Sequence, residues 1–249
     1  MTFETVGQTG KPMALLIHPM LNDASCFNKF REHLADDYFL ILPTLDGHDG
    51  KTEFISLQEQ VKKIDDYLIK QGFTNLDFIL GTSLGALVAF RVFQNSNIHV
   101  QRLYLDGIPF FKFGKIIKSI VRSQFLRIWR YCNDNPEKAV EKFRKDYDKA
   151  AERMVRITRQ MSEPSVRNLP DACYSNELVP LDVQEQSKIT FFFGSKEPAI
   201  LCKHRIRKYE KAKIIIFRGY GHCDYLNIHT KSYLDIVTGQ IPPISAAKA

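Results

Sequence analysis

The chain has 249 residues, of which 44% are hydrophobic and 25% are charged, so it can bury a large core and is not disordered as a whole. No apolar run approaches the ~20 residues of a membrane-spanning helix, and the first twenty residues lack the features of a signal peptide. The five cysteines are scattered without a CxxC pair or a His/Cys cluster. We therefore expect a reducing cytoplasm and no disulfide framework or zinc site.

The net charge of +7 is concentrated in one segment. Residues 110–160 hold 14 Lys and Arg against 6 Asp and Glu, and the rest of the chain is almost neutral. The simplest interpretation is a solvated helical face. The alternative is a weak contact with an anionic substrate or membrane surface. No nucleic-acid-binding motif accompanies the charge, so no nucleic-acid partner is expected, and nothing in the pattern indicates an oligomeric state.

Six apolar, β-prone runs are separated by other patterns along the chain. Most are continuously apolar, which is typical of parallel strands buried on both faces. They lie at residues 13–18, 38–43, 76–81, 100–107, 188–194 and 212–219. Helical patterns lie between them, so the sequence predicts an α/β fold with a mostly parallel central sheet flanked by helices.

The clearest of these helices follows Ser56. Ser56 and Glu59 form a capping-box pattern, and Gly72 stands where a helix-terminating glycine is expected. Shorter helices are predicted over 27–34 and 84–93.

Strand signals stop near Pro109 and resume at Lys188. Only helical patterns fill the interval, and one of them starts at Asn135-Pro136, an N-cap residue followed by proline at the first helical position. We therefore predict a helical lid at residues 110–186, inserted into a core formed by residues 1–109 and 187–249.

Residues 81–85 read Gly-Thr-Ser-Leu-Gly and match G-x-S-x-G, the nucleophile elbow. The motif stands between an apolar run and a helical pattern, where strand and helix backbones crowd and require small residues. Such a turn lifts the Ser83 hydroxyl above the sheet and directs the helix N-terminus at the group that the serine attacks. The alternative is a tight turn with an incidental serine.

A serine nucleophile needs a base, and the base needs an acidic partner. His222 lies in a glycine-rich loop after the last apolar run and is the best-placed histidine; His48, on another loop, is a candidate for the pocket. Glu197 lies on a turn directly after the fifth run. The chain order is then Ser83, Glu197, His222.

These motifs make the chain resemble a member of the α/β-hydrolase fold superfamily that carries a lid. The motifs lie at residues 17–20, 46–48, 81–85, 194–198 and 221–222. The resemblance implies a sheet of about eight strands or fewer. Relatives usually carry aspartate at the position of Glu197, and some place the acid after the strand that ends at Asp106, so Asp106 is the alternative acid.

Relatives also usually have His-Gly where this chain has His18-Pro19, and proline has no N–H to donate. The oxyanion hole needs two donors. The resemblance assigns them to the backbone N–H groups of Leu84 and Met20, with Leu21 as the fallback for Met20.

The pocket is expected to take a small-molecule acyl substrate beneath the lid. His18 either contacts substrate or hydrogen-bonds loops beneath the site. Aromatic and apolar residues offer a lining, although packing of the lid onto the core is the alternative for each. They are Phe110, Phe111, Phe113, Phe125, Trp129 and Met161.

The resulting functional hypothesis is a serine hydrolase that cleaves a carboxylic ester or thioester without metal or organic cofactor. A carbon–carbon bond hydrolase or a lyase could use the same triad. A catalytically silent ligand-binding protein of this fold is the further alternative, because of the departures at Pro19 and Glu197. Neither the substrate nor its acyl chain length follows from the sequence.

Overall fold

The computed structural model describes residues 1–95 and 97–240. Its centre is a seven-stranded sheet in the order β1-β3-β2-β4-β5-β6-β7. Strand β1 is antiparallel to β3, and all other neighbours are parallel. The strands are β1 (Thr2–Val6), β2 (Met13–Ile17), β3 (Phe39–Thr44), β4 (Asn75–Thr82), β5 (His99–Asp106), β6 (Ile189–Gly194) and β7 (Lys213–Phe217).

The mostly parallel sheet predicted from the six apolar runs is confirmed, because each run forms one of the strands β2 to β7. Strands β3 and β6 are buried at every position, as expected for strands covered on both faces. The sequence patterns do not predict β1. This strand lies at the sheet edge with exposed or half-buried side chains, so it lacks a continuous apolar run.

Helices cover both faces of the sheet. Alternate residues of β2 show this arrangement: Leu15 and Ile17 belong to one core cluster, whereas Ala14 and Leu16 belong to the other. The helices are α1 (Asn28–Leu34), α2 (Leu57–Gln71), α3 (Leu84–Val92), α4 (Lys115–Asp134), α5 (Pro136–Tyr147), α6 (Ala151–Gln160), α7 (Glu163–Tyr174), α8 (Val183–Ser187), α9 (Lys203–Ile206), α10 (Asp224–Ile228) and α11 (Thr230–Thr238). None of the helices in the described residues is both long and apolar enough to cross a bilayer.

Local sequence signals account for the ends of α2. The Ser56 hydroxyl accepts a hydrogen bond from the Glu59 N–H at 3.2 Å. At the other end, Gly72 adopts the left-handed conformation with φ 74° and caps the helix.

Helices α4 to α8 all lie between β5 and β6, and we call residues 110–186 the helical insertion. Pro136 begins α5, as its position after Asn135 predicts. Asn135 occupies the N-cap position, as predicted, although its side chain makes no capping hydrogen bond. The insertion is tied to the core at Phe54, whose N–H donates to the Ser165 hydroxyl at 2.9 Å and whose carbonyl accepts from the Asn168 amide at 3.0 Å.

Candidate active site

Ser83 stands alone between the end of β4 and the start of α3. Its backbone has φ 52° and ψ −113°, a conformation that costs a residue other than glycine about 1–3 kcal/mol. The strain allows the chain to reverse within one residue. Ser83 is therefore held at the carboxyl edge of the sheet, above a strand and at the N-terminus of a helix.

The two flanking glycines permit this turn. A Cβ atom on Gly81 would lie 2.6 Å from the Cβ of Ala89, and one on Gly85 would lie 2.5 Å from the His18 carbonyl oxygen. Both distances are shorter than the contacts that Cβ atoms make in proteins, so neither position has room for a side chain. Larger residues at positions 81 or 85 would push α3 away from the sheet and displace Ser83.

His222 and Glu197 are in direct contact, through the imidazole Nδ1 and the carboxylate Oε2. Glu197 is 2% exposed, whereas the His222 side chain is 38% exposed. The other carboxylate oxygen accepts the Gly194 N–H at 2.5 Å. With Nδ1 bound to the acid, the Nε2 atom of His222 is the nitrogen left for proton exchange with a nucleophile.

Backbone hydrogen bonds hold the acid turn against the histidine loop. The Lys196 N–H donates to the Tyr220 carbonyl at 3.0 Å, and the Ser195 N–H donates to the Phe217 carbonyl at 3.0 Å. On the histidine loop, the Gly221 N–H donates to an Asp224 carboxylate oxygen at 2.8 Å. These contacts fix the loop on which His222 stands relative to the acid.

Asp106 and Gly107 connect the serine turn to the histidine. The Ser83 N–H donates to the Asp106 carbonyl at 2.8 Å. Gly107, with φ 62°, lies against the His222 ring, and a Cβ there would be 2.7 Å from Nδ1 and 2.9 Å from the Glu197 Oε2. The end of β5 therefore has Ser83 on one side and the His222–Glu197 pair on the other.

Asp106 is 3% exposed, and the structure gives its side chain no hydrogen bond to His222. Burial and then the negative charge of Glu197 raise the pKa of Asp106 to about 7. Its carboxyl is thus only partly ionised at neutral pH. The carboxylate that contacts His222 in the structure is that of Glu197.

Two opposing effects act on the pKa of His222. Burial lowers the pKa of His222, but the hydrogen bond and the charge of Glu197 outweigh it, so the pKa stands above the ordinary value for histidine. The ion pair therefore stabilises the protonated ring, as a general base requires after it has taken a proton.

The sequence assigns two backbone N–H groups to an oxyanion hole, those of Leu84 and Met20. Leu84 is the first residue of α3, and Met20 is in the loop that follows β2. Neither N–H donates a hydrogen bond within residues 1–95 and 97–240. Leu21, the fallback donor, has φ 59°, so this loop turns sharply beside Pro19 without a glycine.

Solved structures match the chain over almost its whole length. An alpha/beta hydrolase family protein from Desulfitobacterium hafniense is 20% identical, with 96% of this chain and 99% of that chain covered at a TM-score of 0.72. A carboxylesterase of Nitrososphaera gargenis is 18% identical over 96% and 93% of the two chains, at a TM-score of 0.72. An esterase from Exiguobacterium antarcticum is 15% identical over 95% and 94%, at a TM-score of 0.72.

The chain has the α/β-hydrolase fold. No protein-family model matches the sequence. A search of curated proteins also finds no match. In this α/β-hydrolase fold the serine, glutamate and histidine follow β4, β6 and β7, which is the chain order Ser…Asp/Glu…His of the fold's triad.

The His18 ring is enclosed by the protein, which argues against contact with substrate, one of the two sequence-based expectations. Its side chain is fully buried, and Nε2 accepts the Leu45 N–H at 3.0 Å. The proton is therefore on Nδ1, which donates to the Pro19 carbonyl at 2.8 Å. Burial and the neighbouring His48 lower the pKa of His18 to about 3, so the ring is neutral and braces the loops beneath the site.

His48 is also buried beside His18, with ring centroids 5.2 Å apart. Its Nδ1 lies 3.0 Å from the Asp46 carbonyl, and its Nε2 has no partner among the described residues. Burial lowers the pKa of His48 to about 4, so this ring is neutral as well. With 1% of its surface exposed, His48 is part of the support of the loops.

The expected aromatic lining also needs correction at Phe110. This side chain is 1% exposed and packs edge-on against Phe90 at 5.1 Å, so it belongs to the core. Trp129 is half-buried and donates its Nε1–H to the Met161 carbonyl at 2.9 Å. That bond joins α4 to the end of α6, so the indole has a structural partner within the insertion.

Sequence reasoning missed a connection between the insertion and the loop that carries Met20. The Arg153 Nε–H donates to the Asn22 Oδ1 at 2.8 Å. One turn later on α6, Arg156 forms an ion pair with Asp23 at 2.7 Å. The two arginines lie more than 130 residues from their partners in sequence, and the basic composition of the insertion was the only signal that could have drawn attention to them.

Proposed function

We propose that this protein is a serine hydrolase that cleaves a carboxylic ester or a thioester through an acyl-enzyme. The observation that carries the proposal is the contact between Glu197 and the Nδ1 atom of His222, packed on Gly107 beside the strained turn of Ser83. The similarity to solved esterases and hydrolases supports it at the level of the fold.

In the first half-reaction the Ser83 oxygen attacks the acyl carbon, and the Nε2 atom of His222 takes the serine proton. Glu197 holds the ring in the tautomer with a proton on Nδ1 and stabilises the imidazolium. The carbonyl oxygen, now negatively charged, accepts hydrogen bonds from the N–H groups of Leu84 and Met20. The tetrahedral intermediate collapses as His222 gives its proton to the departing alcohol or thiol.

In the second half-reaction a water molecule replaces the leaving group. His222 takes a proton from this water as its oxygen attacks the acyl-enzyme, and then returns the proton to Ser83 as the carboxylic acid leaves. Every proton and bond in this cycle is supplied by the chain, the substrate and water. The proposed cycle therefore calls on no group beyond the chain, the substrate and water.

The substrate is proposed to be a small acyl compound, and the compartment is proposed to be the cytoplasm. All five cysteines are free thiols, which suits a reducing environment. The two aromatic rings of Phe111 and Phe113 stack at 5.4 Å at the start of the insertion and offer apolar surface.

A chain-length series of p-nitrophenyl esters, with acyl-CoA thioesters alongside, tests this function. We expect turnover by the native protein and no turnover above background by Ser83→Ala. The chain length with the highest kcat/KM then defines the acyl pocket. Equal rates for the native protein and Ser83→Ala would contradict the proposal.

A further inference from the structure

Helix α4 exposes three isoleucines within two turns. Ile116, Ile117 and Ile120 have 79%, 50% and 55% of their surface exposed. We call these three residues the isoleucine patch. The helix buries Leu126 and Cys132 instead, so the patch does not serve the packing of α4 onto the protein. Clustered large apolar side chains on a surface commonly mark an interaction site.

The helix that carries the patch has a strong excess of positive charge. Helix α4 carries five Lys or Arg and a single acidic residue, Asp134, at its end. Two of the five, Lys118 and Arg122, are bound to Asp171 at 2.9 Å. The other three have no ion-pair partner in the part of the chain that the structure describes: Lys115, Arg127 and Arg130.

These uncompensated cations decide which partner fits. A second copy of the same face would bring like charges together, which opposes a symmetric dimer through α4. An anionic lipid surface offers negative headgroups for the cations and an apolar layer for the isoleucines. Exposed apolar side chains flanked by Lys and Arg are typical of helices that lie in a membrane interface.

We propose that the outer face of α4, formed by the isoleucine patch with Lys115 and Arg127, docks on an anionic lipid bilayer. Ile116 and Ile120 are one helical turn apart and enter the headgroup boundary together. The contact is peripheral and reversible, since only a few apolar side chains take part. This inference does not depend on Ser83 or on the proposed hydrolysis.

The test is flotation of the full chain with vesicles of phosphatidylcholine alone and of phosphatidylcholine mixed with phosphatidylglycerol. We expect binding only to the anionic vesicles, and release at high salt because the headgroup charge is screened. Ile116→Ser with Ile120→Ser is expected to reduce the bound fraction about tenfold, because two exposed apolar side chains no longer leave water. Lys115→Gln with Arg127→Gln is expected to weaken binding and to flatten its salt dependence.

Ile69→Ser is the matched control, because Ile69 is 46% exposed on α2 and is outside the patch. It should bind vesicles like the native protein. All variants should keep native circular dichroism and native activity toward a water-soluble ester, since none lies in the proposed catalytic machinery. Failure to bind anionic vesicles would overturn the inference, and so would binding that ignores lipid charge. Sedimentation showing a native dimer that Ile116→Ser/Ile120→Ser abolishes would instead assign the patch to self-association.

Discussion

Arg153 of α6 donates its Nε–H to the Oδ1 atom of Asn22 at 2.8 Å. Asn22 is 6% exposed and lies two residues after Met20, the proposed oxyanion donor. Between them Leu21 has a left-handed backbone with φ 59°. A helix of the insertion thus supports the loop that carries the proposed oxyanion donor, at a place where the sequence has proline.

We predict that Arg153→Met lowers kcat about 10- to 100-fold, because a displaced oxyanion donor acts on the transition state more than on substrate binding. Steady-state kinetics with the best p-nitrophenyl ester measures kcat and KM separately. Arg144→Met is the control, since Arg144 pairs with the 74% exposed Glu152 within the insertion. A change in KM alone for Arg153→Met would show that Arg153 does not position the oxyanion hole.

The choice between the two acids gives the second prediction. Glu197→Gln should reduce kcat about 10³- to 10⁴-fold, because the amide cannot stabilise the imidazolium and favours the wrong tautomer. Asp106→Asn should have a much smaller effect, since its buried carboxyl is already partly protonated near neutral pH. Thermal unfolding checks that both variants fold. The reverse ranking of the two kcat values would assign the acid to Asp106.

The pH dependence of kcat/KM gives the third prediction. His222 must be neutral to act as base, so activity falls as the pH drops through its raised pKa. The Glu197→Gln variant loses the carboxylate charge and the hydrogen bond from His222 to that carboxylate, both of which raise the pKa of His222. Burial of His222 remains and still lowers this pKa. In the pH profile of kcat/KM for this variant, the fall in activity on the acidic side should therefore occur at lower pH than in the native protein. A fall that stays in place or moves to higher pH would contradict the assigned pairing.

Gly107 gives the fourth prediction. Alanine there would place a Cβ 2.7 Å from the His222 Nδ1 and would force a non-glycine residue to φ 62°. We expect Gly107→Ala to lose about 10²-fold in kcat and about 1–2 kcal/mol in the free energy of unfolding. Gly114→Ala is the control, because its Cβ would have no atom within 4 Å. Native kinetics for Gly107→Ala would mean that His222 does not rest on this residue during catalysis.

The sequence predicts the sheet well because buried parallel strands need continuous apolar runs. It misses β1, whose half-exposed residues pair only at the edge of the sheet. At the site, Ser83, Glu197 and His222 each follow a strand, and parallel strands bring their carboxyl ends to one edge. Chain order was therefore sufficient to predict that these three residues lie at the same edge of the sheet.

Side-chain environment is the part that sequence could not supply. An apolar residue such as Phe110 suits either a pocket lining or the core. The contacts of its ring with the rings of Phe90 and Phe191 show that it belongs to the core. His18 likewise looks like a pocket residue until both ring nitrogens are found bound. The contact of Arg153 with Asn22 has no local pattern, since it depends on how the insertion lies on the core.

Labelling with a fluorophosphonate probe, read by intact-protein mass spectrometry, tests the central claim most directly. The probe reacts with a serine only when a base activates it, so the native protein should gain one probe adduct. Ser83→Ala should gain none, and His222→Ala should label far more slowly. Native protein that stays unlabelled, or a Ser83→Ala variant that labels at the native rate, would contradict the assignment of Ser83 as the nucleophile.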